Sequence, residues 1–313
     1  GSGSLLLTVG SEVPGGYKAG RVQFHGQELN TTTYNLARMN LMMHGVSYQN
    51  MTLRNADSLE MDWPDGVDAQ GIDHPRSFDA VVENPPYSAH WDNQDSKMKD
   101  VRFKEYALAP KSKADFAFLL DGLYHLNNSG TMAIVLPHGV LFRGAKEGKI
   151  RQALLDKHQI DAIIGMPAGL FYSTGIPTII MVLKKQRQSG DVLFIDASRD
   201  FEKGKNQNHL RDEDIDKIIS AYRKRQDIDK YAHIANMDEI KENEYNLNIP
   251  RYVDTFEPEP PVDVDKLVTD IQSTDEQISK LESEFSGMLN ELDGKSPVAQ
   301  QQLAKIKELF KNE

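Results

Sequence analysis

Short runs of β-branched and apolar residues alternate with helix-period stretches through the first 200 residues of the chain. Val22–His25, Gln49–Leu53, Phe78–Glu83, Thr131–Leu136, Ile160–Ile164, Thr178–Lys184 and Val192–Ile195 read as strands bounded by Gly, Pro and Asn. Several are apolar along their whole length, as expected of strands covered on both faces. Between them, Thr32–His44 carries Leu36, Met39 and Met43 at spacings of three and four, and Ala114–Leu126 carries Phe116, Leu119, Leu120 and Leu123 similarly. This alternation of strand and helix predicts an α/β fold with a mostly parallel, helix-covered sheet.

The pattern changes near Pro258–Pro261. Val264, Leu267, Ile271, Thr274, Ile278, Leu281, Phe285, Met288 and Leu292 keep a three-then-four spacing among Asp, Glu, Lys and Gln, which is a heptad seam. Asp293-Gly294-Lys295-Ser296-Pro297 ends that helix and starts another, with Ser296 as N-cap and Pro297 at the first helical position before Leu303, Ile306, Leu309 and Phe310. A helical hairpin over 258–313 is therefore expected beside a domain over 1–257. Its seam needs an apolar cover, either its own domain or a partner.

Composition narrows the chemistry. With 47 acidic and 36 basic residues the net charge is −11, which argues against a body that grips nucleic acid unaided. The absence of cysteine excludes disulfides, Cys-ligated zinc, iron–sulfur clusters and thiol nucleophiles, including the cysteine attack that methylates cytosine at carbon 5. No apolar run approaches the roughly 20 residues that span a bilayer, so a soluble, cytoplasmic protein is expected.

The strongest chemical signal follows the strand Phe78–Glu83: Asn84-Pro85-Pro86-Tyr87. Two consecutive prolines fix φ and remove two backbone donors, leaving rigid carbonyls beside Asn84 past the carboxyl end of a strand. Such a corner can accept both N–H bonds of a planar amino group, through Asn84 Oδ1 and the Pro85 carbonyl. That favours the pyramidal nitrogen of an attacking amine. Tyr87 offers a π-face for a flipped base, worth about 1–3 kcal/mol per stacked base. An ordinary Asn-Pro turn is the alternative.

This motif resembles that of Rossmann-like S-adenosylmethionine-dependent amino-methyltransferases, whose substrates include DNA adenine, RNA amines and a glutamine amide in protein release factors. Further blocks are similar to the modification (methylation, M) subunit of type I restriction–modification systems. They are Gly26–Asn40, Asn55-Ala56-Asp57-Ser58-Leu59, Leu136–Phe142, Thr174–Thr178 and Tyr245–Tyr252. The resemblance spans most of residues 1–260. It implies a Rossmann-like sheet with helices on both faces plus a C-terminal helical extension. It also implies adenine-specific DNA methyltransferase activity, moving methyl from S-adenosylmethionine to N6 of a flipped adenine. Catalytic roles then fall to Asn84, Pro85, Pro86 and Tyr87. Gly1, Gly3, Glu28, Asp57 and Asn84 are implied to bind cofactor, with Glu28 on the ribose hydroxyls and Asp57 on the adenine amino group. Phe171 or Tyr172 is implied, with Tyr87, to contact the target base; a core role for one of these two rings is the alternative.

By the same resemblance the partners are DNA, a second modification subunit, a specificity subunit met through the C-terminal helices, and a restriction nuclease subunit. Gly1-Ser2-Gly3-Ser4-Leu5-Leu6-Leu7 matches the end of a glycine-rich cofactor loop, or else a Gly-Ser cloning scar. The strand and acidic residue that should precede that loop are absent, so the chain is expected to begin inside the motif, without its first strand and N-terminal domain. Two rival readings stand beside the DNA methyltransferase: a protein glutamine N5-methyltransferase and a non-catalytic scaffold fragment. His90 and His138 lie in no metal-ligand spacing, and no metal is expected. The segment Lys97–Lys113 holds six cations, among them Lys97 and Arg102, against two acids, and reads as a phosphate contact or a solvated loop. Tyr222-Arg223-Lys224-Arg225 reads first as a charged helix face.

Overall fold

The computed structural model describes residues 1–60, 76–172, 174–255 and 263–309; Ser173, Phe310 and the break at Pro258–Pro261 lie outside them. Two compact units divide the chain between Phe256 and Glu257.

In the first unit, β1 (Phe24–Glu28) and β2 (Met51–Asn55) pair in parallel with Glu28 opposite Asn55. Helices α1 (Ser4–Glu12) and α2 (Thr31–Met43) supply Leu7 and Leu41 to a small core shared with Phe24, Val46 and Met51. Six further strands form a second sheet: β3 (Phe78–Glu83), β4 (Leu126–Pro137), β5 (Ile160–Gly165), β6 (Thr178–Leu183), β7 (Val192–Asp196) and β8 (Ala232–Ala235). Their spatial order is β3-β4-β6-β5-β7-β8.

Apolar side chains alternate across this sheet. Met132, Ile134 and Leu136 of β4 and Ile179, Met181 and Leu183 of β6 face α3 (Asp115–Tyr124) and α4 (Ala145–Asp156) in the main core. Ile164, Val182, Leu193 and Ile195 take the opposite face with Ile218 and Ala221 of α5 (Asp212–Lys224). Helices therefore cover both faces of an α/β sheet. A short helix, α6 (Met237–Glu242), follows β8.

The sheet is mixed, which corrects the expectation of mostly parallel pairing. β3 with β4 and β5 with β7 run parallel, whereas β6 runs antiparallel to both β4 and β5, and β8 antiparallel to β7. Physically, the described residues between β5 and β6 form no helix, and an antiparallel return needs no crossover. Element edges also shift. β1 starts at Phe24 and ends on Glu28, so Glu28 is a strand residue, and β4 begins five residues before the expected Thr131, at Leu126. The four-residue edge strand β8 carries too short an apolar run to register as periodicity.

The second unit contains α7 (Val264–Glu291) and α8 (Pro297–Leu309). Asp263 caps α7 by accepting from the Lys266 amide at 3.0 Å, and Ser296 Oγ accepts from the Ala299 amide at 3.2 Å to start α8. Lys307 Nζ reaches the Asn290 carbonyl at 3.3 Å, closing α8 back on the end of α7. Leu289 is buried, while Leu267, Ile271, Ile278 and Leu281 on the heptad seam are exposed.

Candidate active site

Asn84 leaves the carboxyl end of β3 exposed, and Pro85 behind it is buried. The Tyr87 hydroxyl donates to Asn84 Oδ1 at 3.0 Å, so the first and last residues of the motif fold onto each other. Partial burial raises the Tyr87 pKa, keeping the phenol a donor. The next residue, Ser88, takes a left-handed φ of 51°, a conformation that costs a non-glycine residue roughly 1–2 kcal/mol unless neighbours hold it.

Neighbours do hold it. The Ser88 amide donates to Asp115 Oδ1 at 2.7 Å, and Asp115 opens α3 fully buried. Arg143 Nη1 bridges Asp115 Oδ2 at 3.2 Å and Glu147 Oε1 at 3.0 Å, supplying the counter-charge that two buried carboxylates require. Burial raises the Glu147 pKa, against the opposing pull of Arg143. Backbone bonds from Trp91 to Lys111 and from Ala114 to Ala89 pin the rest of the loop to the start of α3. Glu83, the last residue of β3, points its carboxyl at α3, where a Cβ on Gly122 would lie 2.2 Å from Glu83 Oε1. Burial, reinforced by Asp121, pushes the Glu83 pKa well above the usual carboxylate range.

A second group sits at the ends of β1 and β2. Glu28 accepts from the Asn30 amide at 2.8 Å. Asn55 Nδ2 donates to the carbonyls of Glu28 at 2.7 Å and Leu29 at 2.9 Å, and its Oδ1 accepts from Thr31, tying β2 to the turn that starts α2. Asp57 Oδ1 accepts from the Leu59 amide at 3.0 Å, so this carboxylate is fixed by its own turn. Gly3 caps α1 at φ 79°, and a Cβ there would meet Leu41 Cδ1 at 2.4 Å; a Cβ on Gly1 would meet nothing within 4 Å. Of the two glycines, only Gly3 is demanded by the backbone.

The aromatic pair splits. Phe171 lines a cleft of about 310 Å³ with Thr178, Ile180, Gln207, Asn208 and His209, whereas Tyr172 is 89% exposed. Asn208 Nδ2 donates to the Ala168 carbonyl at 2.8 Å, bracing the loop that carries both rings. Burial lowers the His138 pKa, favouring its neutral form.

Two of the six cations in Lys97–Lys113 are structural, which corrects the phosphate reading for Lys97 and Arg102. Arg102 is 2% exposed and paired with Asp100 and Asp121, and Lys97 pairs with Glu60 at 2.9 Å. In the second cluster, Tyr222 and Arg225 bond to buried Asp161. Spacing alone did not reveal Asn55, Asp115 or Arg143 as supports, because Asn55 meets Glu28 and Leu29, Asp115 meets Ser88, and Arg143 meets Asp115, all far along the chain.

A family model for N-6 DNA Methylase matches residues 1–260. The chain belongs to this family. Within it, the chain is 42% identical over 260 residues to the type I restriction enzyme MpnII methylase subunit of Mycoplasma pneumoniae, covering 82% of the chain and 47% of that protein. It is 33% identical over 302 residues to the MjaVII methylase subunit of Methanocaldococcus jannaschii, covering 92% of the chain and 50% of that protein. The crystal structure of a type I restriction-modification system methyltransferase subunit from Streptococcus thermophilus superposes with a TM-score of 0.76 at 56% identity, over 81% of this chain and 53% of that one. The chain thus spans about half the length of these relatives. Membership of the N-6 DNA Methylase family supports the adenine reading of Asn84–Tyr87 rather than the glutamine or scaffold readings. Among the described residues, no helix is long and apolar enough to cross a membrane.

Proposed function

We propose that this chain is the catalytic part of a type I modification subunit, an S-adenosylmethionine-dependent methyltransferase acting on N6 of a flipped DNA adenine. The observation that carries the reading is the Asn84–Tyr87 corner, exposed at the end of β3 and anchored through Ser88 to buried Asp115, in a chain of this family.

The residues present fit the cofactor. The Glu28 and Asp57 carboxylates lie at and just past the ends of neighbouring parallel strands, acceptors suited to ribose hydroxyls and an adenine amine. When bound, S-adenosylmethionine supplies an electrophilic methyl group on a positively charged sulfur. Asn84 Oδ1 and the Pro85 carbonyl accept the N–H bonds of the target amine and orient its lone pair. Tyr87 stacks on the base. Asn84 Oδ1 has two lone pairs, so the Tyr87 hydroxyl and the amine can share it or exchange. Phe171, which lines its cleft, and Tyr172 are the further rings offered to the extruded base. Catalysis here is positioning, since an amine held in line gains most from lost translational freedom.

The same reading makes DNA, a second modification subunit, a specificity subunit and a nuclease subunit its partners, in the cytoplasm. The heptad seam on α7 would meet the specificity subunit. The test is Asn84→Ala in the chain assembled with a specificity subunit, measured as labelled methyl incorporated into DNA adenine. Incorporation should fall at least ~100-fold, while the Kd for S-adenosylmethionine changes little. Equal incorporation by the variant would remove the catalytic assignment.

A further inference from the structure

Arg102 was read from sequence as a candidate phosphate contact, yet it is 2% exposed and every polar contact described for it is internal. Its guanidinium reaches three separate segments. Nε lies 3.0 Å from Asp100 Oδ1 and Nη2 2.7 Å from Asp100 Oδ2, a forked pair within the connection between the catalytic corner and α3. Nη1 lies 2.6 Å from Asp121 Oδ1, on α3. The same Nη1 lies 2.6 Å from the carbonyl of Ser58, in the turn that follows β2 and carries Asp57.

Lys97, from the same connection, repeats the arrangement. Its Nζ donates to the Leu59 carbonyl at 2.7 Å and pairs with Glu60 Oε1 at 2.9 Å. Two successive carbonyls of the Asp57 turn are thus gripped by two cations of one segment. Leu59, 3% exposed, is drawn into the main core with α3, although β2 itself belongs to the two-stranded sheet. Because the Leu59 amide holds Asp57 Oδ1, whatever fixes Leu59 also fixes the direction of the second Asp57 oxygen.

We propose that Arg102 is the positioning residue that fastens the Asp57 turn to α3, setting the Asp57 carboxylate for the adenine end of the cofactor in register with the corner at Asn84; this rests on the cofactor site described above. Arginine suits the task because its planar fork can serve three acceptors in fixed directions, whereas a lysine ammonium is a point charge on a flexible stem. The pairing with Asp100 and Asp121 offsets the cost of burying the cation. The consequence is that Arg102 acts on cofactor affinity and not on DNA.

The experiment compares wild type with Arg102→Gln and Arg102→Lys by hydrogen exchange and by titration with S-adenosylmethionine. In Arg102→Gln the amides of residues 57–60 should exchange about tenfold faster, those of β5 and β7 should be unchanged, and the cofactor Kd should rise about tenfold. Arg102→Lys should recover part of both effects. A folded Arg102→Gln protein with unchanged exchange at 57–60, or with a loosened turn and an unchanged Kd, overturns the proposal. Should Arg102→Gln fail to fold, Lys97→Met removes only the grip on Leu59 and Glu60; about threefold faster exchange in the turn supports the proposal and unchanged exchange overturns it. Failure of the wild-type chain to bind S-adenosylmethionine would strike the cofactor site itself, while the exchange arm still decides whether Arg102 fastens the turn.

Discussion

Tyr87 and Asn84 show how much one hydrogen bond adds to a motif. The four letters Asn-Pro-Pro-Tyr state that an amide, two stiff prolines and a ring stand together; the 3.0 Å bond shows the phenol resting on Asn84 Oδ1, the acceptor proposed for the target amine. Gly3 carries a comparable demand. At φ 79° and with a would-be Cβ 2.4 Å from Leu41, Gly3→Ala should cost about 1–3 kcal/mol and weaken cofactor binding together. Thermal unfolding checks the first and calorimetric titration the second; a fully stable variant would show that the small core shared by α1 and α2 yields more easily than its packing implies. Gly1→Ala should leave stability unchanged, since a Cβ there would meet nothing within 4 Å. The two glycines are equivalent as letters and differ only because Leu41, far along the chain, packs against one of them.

At the scale of elements, the start of α3 governs the catalytic corner. Asp115 both accepts from the strained Ser88 amide and pairs with Arg143, so Asp115→Ala removes two supports and leaves Arg143 with Glu147 alone. A loss of about 2–4 kcal/mol is expected, with methyl transfer falling further than cofactor affinity, because the corner and not the Glu28 side is released. Denaturant unfolding and single-turnover transfer separate the two effects.

A different carboxylate anchors β5. Asp161 is 4% exposed and meets Lys184 at 3.0 Å, Arg187 at 2.9 Å and Arg225 at 3.2 Å. Burial raises its pKa, but the Tyr222 and Lys184 hydrogen bonds and the Arg187 and Arg225 charges outweigh burial and hold it below the usual value. A depressed folded-state pKa stabilises above the unfolded value near 3.9 and is lost as pH falls through the folded one. Asp161→Asn should therefore lose about 3–5 kcal/mol at pH 7 and show a flatter decline of stability on acidification below about pH 4. Stability, measured by urea unfolding, that falls equally steeply with acidification in variant and wild type would rule this out.

For the whole molecule, the two compact units predict separable behaviour. Deleting residues from Val262 onward should leave the first unit folded by circular dichroism and abolish assembly with a specificity subunit in size-exclusion chromatography, because the exposed apolar seam of α7 goes with it. Co-elution of the shortened chain would move the docking surface elsewhere. Three cations that belong to basic clusters in the sequence, Lys97, Arg102 and Arg225, pair internally with Glu60, with Asp100 and Asp121, and with Asp161 and Asp191.

Local pattern by itself determined the seven strands between Phe24 and Asp196 to within a few residues, the helices over Thr31–Met43 and Asp115–Tyr124, the stop and restart around Ser296-Pro297, and the corner at Asn84–Tyr87. These are set by periods of two and 3.6 residues and by proline and capping chemistry, all short-range. Only the tertiary structure decided that β6 inserts antiparallel between β4 and β5, that Asp115 and Arg143 carry the corner, and that Arg102 faces inward. Each of those depends on which residues from different elements come to pair, and no spacing within a single element encodes that.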